Sequence, residues 1–154
     1  MQKIKTFTIL LLSLMLVGCG DRGPNTHYVE GIITLHGEPL EGALITFHPV
    51  PDGTNDKIAA GRSDESGVYK LTADSGLPER GAFEGDYIVT ISRIDVETTL
   101  LPPDPRDPSG NQMSGPSIHT QITPRVYGSP STSPFTATVN PGRNENVNFD
   151  MTSR

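Results

Sequence analysis

The sequence predicts an all-β sandwich of seven short strands behind an N-terminal export signal. Three observations carry this prediction. From Tyr28 onward, apolar and polar residues alternate with the period of two that lets a strand bury one face. The runs are separated by clusters of Gly, Pro, Asp, Asn and Ser, the residues that form turns. After residue 18 no stretch sustains the apolar period of about 3.6 residues that an amphipathic helix needs.

The first 18 residues are unlike the rest. Lys3 and Lys5 give a positive start, and Phe7 to Val17 are apolar apart from Thr8 and Ser13. As a helix this run is roughly 16 Å long, against about 30 Å of bilayer hydrocarbon, so it does not read as a membrane span. A basic start, a short apolar run and small residues after it describe a bacterial export signal over residues 1–18.

Cys19, the only cysteine of the chain, follows directly. It has no partner for a disulfide. Its nearest histidine in sequence is His27, beyond a polar linker, so nothing nearby favours a reactive thiolate. The tetrapeptide Leu16-Val17-Gly18-Cys19 resembles the lipobox of bacterial lipoproteins. That resemblance implies cleavage before Cys19, a palmitate-type diacyl modification of its thiol and acylation of the new amino terminus. One acyl chain binds membranes marginally, but each buried CH₂ adds about 0.8 kcal/mol, so two or three chains hold permanently. Gly20 rather than Asp follows the cysteine, which is compatible with the outer membrane. The expected location is the cell envelope, at an outer membrane or periplasmic face.

Cleavage would remove two lysines and no acid. The mature chain then carries 10 basic and 18 acidic residues, a net charge of −8. It has no basic patch, so nucleic acid is not an expected partner. An acidic domain is mildly repelled by anionic headgroups, so lipid and not charge must hold it at the membrane. Residues 19–27 form the acylated cysteine and its linker. The eight residues Gly20 to His27 reach at most about 28 Å, which keeps the domain close to the bilayer.

The domain is expected over residues 28–152. In the first strand Val29, Gly31, Ile33 and Leu35 share a face, and His36-Gly37-Glu38-Pro39 reads as a turn. Ala43, Ile45 and Phe47 align in the second strand. Ile58 to Asp64 is a weaker third, ending in the turn Asp64-Glu65-Ser66-Gly67. Tyr69 and Leu71 align in the fourth, and Tyr87, Val89 and Ile91 in the fifth. Phe135, Ala137 and Val139 mark the sixth, and Val147, Phe149 and Met151 the seventh. Phe47, Tyr87, Val89 and Phe149 are therefore expected in the core.

The exception is Ile94 to Pro134, which holds eight prolines, six serines and three glycines. It reads as a long insertion, unusual for a compact domain. Its leading half, from Glu97 through Ser117, shows no periodic apolar face. Leu100 to Ser117 is expected to be a flexible surface segment and the partner-contact region. Ile118, Thr120 and Ile122 alternate in an extended piece, and Ile122 and Tyr127 are expected to pack the remainder back onto the sandwich.

Several phrases together resemble a family. These are V-E-G-I-I-T-L-H-G-E-P-L-E-G-A-L-I-T-F-H-P (29–49), G-R-S-D-E-S-G-V-Y-K-L (61–71), G-A-F-E-G-D-Y-I-V-T-I-S-R (81–93) and P-R-V-Y with T-S-P-F-T-A-T-V (124–139). They are similar to small bacterial lipoproteins with a carboxypeptidase-regulatory-like domain. The resemblance implies a transthyretin-like, Ig-like seven-stranded sandwich that serves as an accessory module without catalysis. A shared fold does not by itself supply a function.

The motifs of chemistry are missing. His27, His36, His48 and His119 are scattered, with no HxH, HExxH or CxxC spacing for zinc. A calcium loop starting at Asp64 would need an acidic twelfth residue, and that position is Ser75. There is no GxSxG nucleophile elbow and no phosphate-cradling glycine loop. Some iron dioxygenases use a transthyretin-like sandwich with two Tyr and two His ligands, but no His pair here is spaced to converge. Outside the signal there are four Phe, four Tyr and no Trp, mostly on apolar strand faces, which leaves few rings to stack sugars or bases. Tyr127 is the exception, placed to cap the sandwich or to contact a partner.

The expectation is thus a non-catalytic, lipid-anchored envelope protein with no cofactor or metal, and Cys19 as its one modified site. Its partners would be the membrane, through lipid, and an envelope protein or glycan. The first rival is a small-ligand or carbohydrate-binding lipoprotein, favoured by a cleft lined by Tyr127 and the 94–134 segment. The second is an envelope enzyme, favoured by three or more His, Tyr or carboxylate side chains converging in one concavity.

Overall fold

A computed structural model of the chain describes residues 26–51, 56–73, 81–102, 106 and 114–152. Residues 1–25, where the export signal, Cys19 and the start of the linker are expected, lie outside the described residues. The strands run β1 (Thr26–Leu35), β2 (Glu38–Pro39), β3 (Leu44–Pro49), β4 (Ala59–Arg62), β5 (Val68–Lys70), β6 (Thr72–Ala73), β7 (Ala82–Phe83), β8 (Gly85–Ser92), β9 (Ile94–Leu100), β10 (Ser114–Gln121), β11 (Thr136–Val139), β12 (Arg143–Asn144) and β13 (Phe149–Met151). Among the described residues a 3-10 turn, Arg125–Gly128, interrupts them, and there is no α-helix. The fold is all-β and sandwich-like.

One sheet is organised around β1. On one edge, β2, β5 and β7 pair with it antiparallel, in the register Thr34 to Pro39, Gly31 to Tyr69 and His27 to Ala82. On the other edge, β12 and β13 run parallel to it, with Tyr28 opposite Arg143 and Ile33 opposite Phe149. The backbone bonds show the two edges directly. Odd residues face β5, as in Ile33 N to Gly67 O and Leu71 N to Val29 O. Even residues face the C-terminal strands, as in Val147 N to Glu30 O and His36 N to Met151 O. The second sheet has the order β11-β8-β3-β4-β6 and is antiparallel throughout.

Two segments pass from one sheet to the other. Val68–Lys70 pairs with β1, and after Leu71 the next two residues pair with β4. Ala82–Phe83 pairs with β1, and from Gly85 the chain joins the second sheet as β8. Such switching strands make the corners that close two packed sheets.

The apolar faces expected from alternation meet between the sheets. Val29, Ile33, Ile45, Phe47, Tyr87, Val89, Ile91 and Met151 are completely buried, and Phe149 nearly so. Phe47 sits at the centre, its ring centroid 5.5 Å from Tyr87, 6.3 Å from Phe149 and 6.5 Å from Tyr69. Tilted and edge-on contacts of this kind contribute beyond the area they bury.

The turns obey their sequence. His36 and Gly37 both have positive φ, 57° and 81°, the geometry of a two-residue hairpin whose twist matches its strands. The Asp150 carboxylate holds this turn, accepting from the Thr34 hydroxyl at 2.6 Å and the Gly37 amide at 3.0 Å. Those two donors hold its pKa below the ordinary 3.8. Asp64 O accepts from Gly67 N at 2.9 Å, and Asp64 Oδ1 takes the Ser66 and Val68 amides.

The segment after Ile94 differs from expectation. Glu97 to Leu100 belong to β9, which pairs with β10 from Gln121–Ile94 to Ser114–Leu100 as a two-stranded ribbon. Leu100 and Ser114–Ser117 are thus strand residues, and 103–105 and 107–113 lie outside the described residues. Counting prolines over the whole stretch hides the reason. Ile94–Leu100 contains none and is rich in β-branched residues. The one proline in β10, Pro116, falls at the irregularity between Ser114 and Ser117, where a ladder tolerates it.

Two measurements check this account. Phe149→Ala should cost about 3–5 kcal/mol, read as a lowered urea midpoint. Asp150→Ala should lower the melting temperature at neutral pH. A carboxylate with a depressed folded-state pKa contributes fully above its unfolded value and loses that contribution as pH falls through the folded one. The gap between wild type and variant should therefore close as the pH drops below 3.8.

Candidate functional site

The chain leaves the ribbon through a tightly bonded base. Arg93 N donates to Thr123 Oγ1 at 3.0 Å, Ile122 N to Arg93 O at 3.0 Å, and Arg93 Nη1 to Glu41 O at 2.7 Å. Thr123 is buried, and the Gln121 amide also reaches its hydroxyl. Pro124 then turns the chain into the Arg125–Gly128 turn, whose Tyr127 N bonds Pro124 O at 3.2 Å. The following loop is held by its hydroxyls. Thr132 Oγ1 donates to Val126 O at 2.8 Å and Ser133 Oγ to Val89 O at 2.5 Å.

Tyr127 caps the sandwich. Its ring lies nearly parallel to Phe135, centroids 4.9 Å apart and planes 13° off. Its hydroxyl donates to Thr152 O at 3.1 Å and accepts from Thr152 N at 3.2 Å. One side chain thereby ties the 124–134 loop to the end of β13. Beside it opens a cleft of about 490 Å³, lined by Pro124, Arg125, Val126, Tyr127, Thr132, Pro134 and Thr152. This is within the range of about 300–1,000 Å³ typical of small-molecule sites. Pro124, Val126, Tyr127 and Pro134 supply its apolar side, and Arg125, Thr132 and Thr152 its polar side. Arg125 is exposed at the cleft, and its guanidinium has no carboxylate partner among the described residues.

A second polar surface lies on the solvent face of the β1 sheet. Its register puts Glu30 opposite Lys70 and Tyr28 opposite Arg143. Tyr28 donates its hydroxyl to the Glu30 carboxylate, Lys70 Nζ lies 3.5 Å from Glu30, and the Arg143 guanidinium stands 4.1 Å over the Tyr28 ring. The bond to Glu30 pushes the Tyr28 phenol up and holds the Glu30 carboxyl down. All these groups face water, where such pairs contribute little. A shallower hollow of about 230 Å³ next to them is lined by Glu30, Gly31, Ile32, Val68, Glu145, Asn146 and Asn148.

The other residues singled out by sequence are dispersed. His27 accepts from Gly142 N at 3.1 Å, His36 occupies the first hairpin turn, and His119 lies on the ribbon. His48 Nε2 is 3.0 Å from Thr90 Oγ1, and burial lowers its pKa. The phenols are engaged elsewhere. Tyr69 donates to Val147 O at 2.7 Å and Tyr87 to Phe83 O at 2.8 Å, and burial pushes the Tyr69 phenol up. No phenol bonds a histidine in these contacts. No group of three or more His, Cys, Asp or Glu among the described residues is placed to hold a metal ion. Cys19 lies outside the described residues. Sequence reading found Tyr127 but missed Arg125, Thr132 and Thr152 as its neighbours. The only signal for them was the P-R-V-Y phrase, and Thr152 joins through a contact 25 residues away.

Ring and hydroxyl of Tyr127 should separate in thermodynamics. Tyr127→Phe should cost about 1 kcal/mol, because Thr152 is exposed and its backbone groups can turn to water. Tyr127→Ala should cost about 3–5 kcal/mol through lost packing on Phe135. Urea unfolding of both variants reads the difference.

No protein-family model, curated protein or solved structure matches the chain.

Proposed function

We propose that this protein is a non-catalytic, lipid-anchored cell-envelope protein. In this reading a transthyretin-like module is held at the membrane by acylated Cys19 and carries its binding surface at the far end. One observation supports it above the others, the polarity of the domain along β1. The chain enters at Thr26, beside Ala82, Gly85 and Gly142. The ribbon and the cleft are at the other end. There Leu35 pairs with Met151, next to Thr152, and Ser92 pairs with Leu44, close to the Glu41 carbonyl that takes Arg93. With β1 starting at Thr26, the six residues from Gly20 to Asn25 span at most about 21 Å. An anchor at Cys19 would therefore hold the Thr26 end near the bilayer and turn the ribbon and cleft away from it. The expected partner is an envelope protein or glycan.

The cleft supports a second reading, a small-ligand or carbohydrate-binding lipoprotein. Its size, its Tyr127 wall and its exposed Arg125 suit a compact ligand with an apolar body and an anionic group.

The anchor is tested by mass spectrometry of the mature N-terminus. The expected result is a chain beginning at Cys19 with its mass raised by acyl groups, and a Cys19→Ser precursor that stays uncut and unacylated. A mature terminus without lipid, or cleavage at another bond, overturns the reading.

A further inference from the structure

The hydrogen-bonding groups around the cleft beside Tyr127 discriminate among the ligands that its size would admit. Much of its backbone is already engaged. Pro124 and Pro134 have no N–H, Pro124 O accepts from Tyr127 N, and Val126 O accepts from the Thr132 hydroxyl. The Tyr127 hydroxyl takes both the N–H and the carbonyl of Thr152. A peptide, which needs a row of backbone partners, meets few of them here. None of the described lining residues carries a carboxylate or a carboxamide. A sugar ring needs strong acceptors for its many O–H groups, and these are the side chains that supply them. What the lining presents is chiefly donors, the Arg125 guanidinium and the Thr152 hydroxyl. Arg125 is exposed and has no carboxylate partner among the described residues. Beside it Val126 is 45% exposed, so an apolar surface lies next to the cation with nothing over it among the described residues.

We infer that the cleft binds a small free carboxylic acid in its ionised form, its carboxylate on Arg125 and its apolar body against Pro124, Val126 and Pro134. This rests on the small-ligand reading above and narrows it to one class of ligand. A guanidinium is a planar fork of N–H donors, and the two oxygens of one carboxylate match it. Arg125 is the one cation among the described lining residues, so the cleft neutralises one negative charge. The chain as a whole is acidic, with 18 acidic and 12 basic residues, and its field disfavours a ligand with several negative charges. The Thr152 hydroxyl is a further donor for the same carboxylate. An aliphatic or aromatic body covers Val126 and the two prolines, and gains by removing them from water. The walls are in place before the ligand arrives. Thr132 ties its loop to Val126 O at 2.8 Å, Ser133 ties it to Val89 O at 2.5 Å, and Tyr127 holds Thr152. Binding therefore orders little of the chain.

Titration of the purified full chain, followed by the NMR amide signals of Val126, Tyr127 and Thr152, tests it. The probe is 3-phenylpropanoate, and its controls are 3-phenylpropanamide, N-acetylglucosamine and the peptide acid acetyl-glycyl-phenylalanine. The expected result is a saturable shift of those signals by the acid, with a dissociation constant of about 1 mM, as suits a ligand of this size. The amide, which keeps the body and loses the charge, should bind at least about tenfold more weakly. The sugar should leave the signals unmoved, and the peptide acid should bind no more tightly than the simple acid. Arg125→Gln should weaken the acid about tenfold, and Arg125→Lys, which keeps the charge without the fork, by less. Val126→Asp should abolish the shift, because it sets a carboxylate beside the bound one. All three substitutions are at exposed positions, and unchanged melting temperatures confirm that the domain is intact. Equal binding of acid and amide, tighter binding of the sugar or the peptide, or indifference to Arg125→Gln overturns the inference and leaves the cleft a ligand site of other chemistry. No saturable shift with any probe overturns the inference and the small-ligand reading together.

Discussion

Every strand of the first sheet takes its place from β1. Five short segments, none longer than three residues, pair along its two edges, and none of them would persist as a strand alone. A one-residue slip of β1 would turn Val29 and Ile33 to water and expel the core face. Gly31 keeps the register at its tightest point. A β-carbon there would stand 1.9 Å from the Val147 carbonyl oxygen, so the C-terminal chain can lie this close only over a glycine. The same carbonyl accepts the Tyr69 hydroxyl, and so joins β5, β1 and the approach to β13 at one site.

The aromatic residues extend that linkage across the core. Phe47 touches Tyr69 and Phe149 from the β1 sheet and Tyr87 from its own, and Phe149 passes contact on to Phe135 and then Tyr127. Each buried phenol delivers its hydroxyl to a backbone carbonyl: Val147, Phe83 or Thr152. These carbonyls lie where strands end or change sheets, positions that leave backbone groups unpaired by neighbours. The tyrosines thus combine apolar filling with the closing of the sandwich, and this commits them to structure.

The domain divides its labour along its length. Its body is filled by side chains with no polar atom left over, for no buried side-chain nitrogen or oxygen among the described residues lacks a partner. Its Leu35 end carries the cleft and the ribbon, where apolar groups meet solvent and Arg125 has no carboxylate partner among the described residues. Surfaces that deviate from a satisfied, charged exterior in this way are the ones suited to contact other molecules. A rigid sandwich beneath them lets such contacts form without reordering the core.

Much of the body was legible in the chain because its information is local. Alternation in Val29 to Leu35, Ala43 to Phe47 and Tyr87 to Ile91 named the buried face of each strand, and those residues form the core. Asp64 and Gly67 announced their turn, since a β-turn depends on four successive residues. Other features belong to tertiary structure alone. The parallel pairing of β1 with β12 and β13 joins residues more than a hundred positions apart, and no local pattern encodes such a partner. The ribbon lies hidden in a proline-rich stretch of forty-one residues, because pairing depends on which seven are free of proline. The cleft brings Thr152 beside Pro124 to Tyr127, residues that meet only when two distant segments pack on the same core. Periodicity decided which side chains turn inward, and packing decided what they meet, because burial needs only a pattern while a site needs segments brought together from across the chain.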